Sequence, residues 1–152
     1  MRVKAVHLVL LLLGAATLLS AKDDPLDALK NQAAKENEPR LYASVVRKEI
    51  EVANDLFTAG DVEKAQAVID DIVSLTGKCV AAAQKNQRHL KDTELELSKA
   101  SKRLEDVRRS LNFDDQPPVK VAVGKIEDAR RTLLSLMFEG PKKSKPEESK
   151  QP

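Results

Sequence analysis

Residues 62–111 read VEKAQAVIDDIVSLTGKCVAAAQKNQRHLKDTELELSKASKRLEDVRRSL, fifty positions without a proline. Numbered in sevens from Val62, the first seam position holds Val62, Ile69, Thr76, Ala83, Leu90, Leu97, Leu104 and Leu111. Three residues on, the second holds Ala65, Ile72, Cys79, Asn86, Thr93, Ala100 and Val107. Twelve of these fifteen are apolar, where a 41% apolar chain would give about six by chance. A sustained heptad of this kind argues helices packed along a seam.

The halves of this stretch differ. Before Ala83 the flanks are also apolar (Val68, Val73, Leu75, Val80, Ala82), a stripe wide enough to need at least two covering surfaces. After Leu90 the flanks are Glu94, Glu96, Ser101, Arg103 and Arg108, which leaves a narrow two-helix seam. Between them Gln84 to His89 offers almost nothing to bury. With no Pro, and Gly77 costing only about 1 kcal/mol relative to Ala, the expectation is one helix over 61–111. It would be about 75 Å long at 1.5 Å per residue, with residues 84–89 as the place for a bend.

Working outward, Ala59-Gly60-Asp61 closes a preceding helix and caps the seam helix, forcing an antiparallel hairpin. That preceding helix, about 39–58, carries Tyr42, Val46, Ile50, Ala53 and Phe57 on one face. A shorter one, about 24–36, opens at Asp23-Asp24-Pro25 and has only Leu26, Leu29 and Ala33 to bury. On the other side Pro117-Pro118 begins a last helix, about 118–138, with Val119, Ala122, Ile126, Ala129, Leu133 and Leu136 in line. The two long flanking helices should lie end to end along the seam helix. The fold class is therefore all-α: an elongated antiparallel bundle of coiled-coil-like hairpins on one long central helix.

Ala53, Leu56, Gly60, Ala65 and Ile69 resemble, in spacing, one tetratricopeptide-repeat hairpin over about residues 46–79. Glu49 stands where such a hairpin carries an aromatic residue, Ile72 where it carries a small one, and Gly77 where it closes on Pro. The resemblance implies close helix approach and protein binding, and no catalytic residues.

Residues 1–21 read as a secretory signal peptide: a basic start, an apolar run from Ala5 to Leu19, and a small-residue cleavage site. The rival reading is an uncleaved anchor. Removing Arg2 and Lys4 leaves 24 basic against 24 acidic residues, a neutral chain with one Tyr, three Phe and no Trp. That composition lacks the basic excess and stacking residues of a nucleic-acid binder. No transmembrane segment is expected after signal removal. The helical domain is 22–138, and 139–152 reads as a disordered polar tail.

A lone Cys79 cannot pair within the chain; it is a small buried residue or an intermolecular disulfide. His89, Asp92 and Glu96 share one helical face and could in principle bridge a metal, but a stable site wants more ligands, and they read instead as a solvated polar face. The basic residues Lys102, Arg103, Arg108, Arg109, Arg130 and Arg131 are interspersed with acids and read as mixed surface. Glu105–Arg109 and Glu127–Arg131 have the spacing of ordinary helix-surface pairs. No motif for phosphate binding, nucleophilic catalysis or thiol redox chemistry occurs. No residue is therefore assigned a catalytic, cofactor or metal role, and no cofactor is expected. The reading is an exported, non-enzymatic helical protein, an interaction or structural component of the cell envelope with a protein partner or a second copy. Its alternative is a small periplasmic chaperone-like or amphipathic surface-binding protein.

Overall fold

The computed structural model describes residues 24–139; the expected signal peptide and all of the expected polar tail but Glu139, which ends the last helix, lie outside them. Five α-helices follow in order: α1 Pro25–Glu36, α2 Pro39–Thr58, α3 Val62–Asn86, α4 Leu90–Ser110 and α5 Gln116–Glu139. A single 3-10 turn, Phe113–Asp115, precedes α5. The protein is an all-α helical bundle.

The expected continuous helix over 61–111 is two helices. At residues 87–89 the chain reverses, with Gln87 (φ 48°) and His89 (φ 51°) both in the left-handed region. Asn86 organises the turn: its side chain accepts from Arg88 N at 3.2 Å and donates to Asn37 O at 2.9 Å. The physical reason lies in the stripes. Along a straight rod each half of the seam helix would be covered by one partner only. Folding back lets α2 and α5 each pack against both α3 and α4. The two flanking helices therefore do not lie end to end on a rod. They form opposite corners of a four-helix bundle, with α3 and α4 on the diagonal.

Contacts fix the directions. Cys79 meets Pro39 and Asn86 meets Asn37, so α2 and α3 are antiparallel. Arg108 meets Gln116 and Arg130 meets Glu94, so α4 and α5 are antiparallel. Arg47–Glu96 and Glu51–Arg103 make α2 and α4 parallel; α3 and α5 are then parallel too. The seam register is as expected from the heptads: of its fifteen residues, twelve are buried and Val62, Asn86 and Leu111 are half-buried. Its two threonines are satisfied locally. Thr76 and Thr93 donate to the carbonyls of Ile72 and His89, each at 2.8 Å. Leu97 and Leu104 are fully buried within the chain, so the leucine series is an internal seam.

At the α2–α3 turn Gly60 takes φ +81°, the left-handed conformation that favours glycine after a helix end. Asp61 does not cap α3; its carboxylate takes Lys64 at 2.6 Å instead. Among the described residues no helix is long and apolar enough to cross a membrane.

Spin labels at Glu63 and Arg109, both exposed, should lie within about 30 Å of each other, whereas a straight helix would part them by about 70 Å. Leu104→Ala should cost about 2–5 kcal/mol in denaturant unfolding. Leu95→Ala, 51% exposed, should fall within about 0.5 kcal/mol of the parent; equal losses would contradict this packing.

Candidate functional site

The bundle presents three inter-helix grooves of different chemistry. Between the parallel helices α2 and α4 runs a ladder of polar contacts. His89 Nε2 faces Glu38 Oε1 at 3.4 Å, Arg47 Nη1 meets Glu96 Oε2 at 2.5 Å, and Arg103 grips Glu51 through two hydrogen bonds of 2.9 and 2.8 Å. Clefts of about 370 and 390 Å³ open between the rungs, walled by Ser44, Arg47, Glu51, Leu95 and Glu96 among others. The polar flanks of α4 that read as a narrow seam are thus stitching residues, each aimed at a neighbouring helix. Glu94 and Arg130 pair at 2.7 Å across α4–α5, and Arg130 also holds Glu127, which accepts a hydrogen bond from the buried Ser101 hydroxyl.

The arginine hydrogen bonds depress several carboxylates. The Arg103 fork lowers the Glu51 pKa, and Arg108 with Arg109 holds Glu105 down at about 2. Burial pushes Glu96 upward, but Arg47 and Lys99 outweigh it and leave it below the ordinary value.

The α3–α5 groove lacks such stitching: among the described residues no ion pair or side-chain hydrogen bond spans it. About 400 Å³ in volume, it is walled by Val73, Thr76, Gly77 and Val80 on α3 and by Lys125, Asp128, Ala129 and Thr132 on α5. A Cβ on Gly77 would meet nothing within 4 Å, so packing inside the chain does not require glycine there.

The third groove, between α2 and α3, is roofed by α1. Under the roof lies Glu49, whose side chain is 2% exposed. Its Oε1 touches Lys30 Nζ of α1 and has no other polar partner among the described residues. Asp71 of α3 stands 3.9 Å from the same ammonium. The hydrogen bond to Glu49 raises the Lys30 pKa above 10.5 against the opposing effect of burial. Removing one member of such a pair leaves an uncompensated buried charge, at a cost of about 3–5 kcal/mol. Sequence reading passed over this pair, although its signal was present: Glu49 interrupts the apolar run Val45, Val46, Ile50, Ala53 on the face of α2.

The singled-out polar residues separate. His89 faces Glu38 and, at 3.9 Å, Asp92, while Glu96 is engaged by Arg47 and Lys99. No group of three His, Cys, Asp or Glu able to hold a metal is present among the described residues. Cys79 is fully buried, donates its thiol to Pro39 O at 3.3 Å, and has its pKa pushed up to about 12 by burial. Cys79 is thus the small buried residue of the two readings, with its sulfur enclosed by the bundle. Glu105–Arg109 forms at 3.1 Å, whereas Glu127 takes Arg130 and Arg131 takes Asp128. Of the basic series, Arg103, Arg108, Arg109, Arg130 and Arg131 all face carboxylates.

Comparison with protein families, curated proteins and solved structures found no match.

Carboxylates with depressed pKa values stabilise the fold fully above about pH 4.5 and lose that contribution as pH falls through the folded values. The melting temperature should hold from pH 7 to about 4.5 and then drop toward pH 2. Arg103→Ala should melt lower at pH 7 and show a shallower acid decline, because Glu51 has lost its counter-charge; parallel declines would contradict this assignment.

Proposed function

We propose that this is an exported, non-enzymatic interaction protein of the cell envelope, and that the α3–α5 groove receives an amphipathic helix from a protein partner. The signal-like residues 1–21 and the absence of catalytic motifs in the sequence motivate the class. The observation that carries the reading is the contrast among grooves. Two long seams are tied by interlocking charges, and a third groove is partly covered by α1, which packs chiefly on α2. Among the described residues the α3–α5 groove combines a lining whose apolar part is Val73, Val80 and Ala129 with a small-residue floor at Gly77 and no bridging side chain. α1 on α2–α3 shows the kind of object that such an interval between helices accepts. Lys125 faces no carboxylate within 4 Å among the described residues, which favours a partner helix with an acid beside its apolar stripe.

A photo-crosslinking residue placed at Val80 or Lys125 in the full chain should trap one and the same envelope protein. The same residue at Lys48, on the laddered α2–α4 face, should not. Gly77→Leu should abolish the crosslink by filling the groove. It should leave the fold intact, or gain up to about 1 kcal/mol from better helix propensity. Crosslinking that survives Gly77→Leu, or that is no greater at the groove than at Lys48, would sink the proposal. Protection of many unrelated aggregating proteins would favour the chaperone-like alternative.

A further inference from the structure

The roofed groove suggests an association of another kind, independent of the α3–α5 groove. Glu49 is a carboxylate inside the bundle and needs a cation. Among the described residues Lys30 of α1 is the cation that meets it, with Asp71 at 3.9 Å from the same ammonium, and the apolar packing of α1 is thin. Of its twelve residues Ala33 alone is buried, with Leu26 and Leu29 half-buried. A helix this short is marginal unless docked. It joins α2 through two residues, Asn37 in the left-handed conformation (φ 48°) and Glu38 extended before Pro39. Pro39 disfavours helical backbone at Glu38, so α1 and α2 do not fuse. An opened α1 swings as a unit on that hinge. Opening lets Asn37 leave the left-handed region and costs the Asn86 latch on its carbonyl.

The contacts that α1 makes with its own groove are the contacts it would make with the groove of a second copy. We infer that α1 is an exchangeable arm. Two chains trade α1 helices, and each Glu49 is then neutralised by Lys30 of the other copy. The occupant's chemistry is that of α1 itself: a short helix with Leu26, Leu29 and Ala33 on the docking side and Lys30 directed at the buried carboxylate.

The test uses two full chains with opposite charge reversals, Lys30→Glu and Glu49→Lys. Each alone sets like charges against each other under α1, so α1 is undocked and the chain is monomeric. In an equimolar mixture every arm finds a complementary groove in the other chain. Light scattering should then report a one-to-one dimer, with the helicity of α1 restored. A mixture that stays monomeric with unrestored helicity overturns the inference.

A second measurement avoids placing Lys in the core. Ala34 and Ser74 line the same crevice beside Lys30 and Asp71, and the native Cys79 thiol is buried and does not compete. Chains carrying Ala34→Cys or Ser74→Cys are mixed at high concentration and oxidised. Exchange predicts the mixed disulfide well above its statistical share, and higher still with Asn86→Ala. Statistical or absent mixed disulfide, with α1 docked only on its own chain or displaced by some other helix, overturns it.

Discussion

A helix with an apolar stripe wider than one neighbour can cover must find two, and that requirement governs the whole molecule. α3 is the clearest case. Ile69, Ile72, Leu75, Cys79 and Ala82 are buried, and Val68, Val73 and Val80 beside them are partly buried. One antiparallel partner, α2, cannot cover that width. The chain answers by reversing at Gln87–His89, which brings the second hairpin alongside the first and gives α3 the further cover of α5. Two left-handed residues in one turn are a modest local cost against a second buried face for each of four helices.

The reversal also explains the charges. Parallel packing of α2 on α4 sets carboxylates opposite an imidazole and two guanidiniums at matching heights, so Glu38, Arg47 and Glu51 meet His89, Glu96 and Arg103 in sequence. Exposed pairs of this sort contribute little individually. Their use here is in register: a slide of one turn would break every rung together. The α3–α5 side has no such rungs, and the surface there is left to small and apolar residues.

Glu49 shows the opposite economy. A buried carboxylate destabilises the bundle unless α1 closes over it, so the shortest helix is tied to the fold by Lys30, which meets Glu49 and Asp71, beside the apolar contacts of Leu26, Leu29 and Ala33. Docking of α1 is thereby made specific for a helix with a cation at one position, where an apolar groove would accept many.

The sequence by itself determined which stretches are helical, their faces and the heptad phase, because burial on a helix follows a 3.6-residue period that local composition displays directly. It also contained the width of the α3 stripe, the polar interruption at 84–89 and the charged flanks of α4, although a rod remained compatible with each taken alone. Only the tertiary structure decided between a bend and a reversal. That choice rests on whether Val73 and Val80 gain α5 as a neighbour, a contact between residues some fifty positions apart that no local pattern encodes. The pairing of Lys30 with Glu49 was decided at the same level, since a charge on an apolar face becomes a docking point only when another helix arrives to neutralise it.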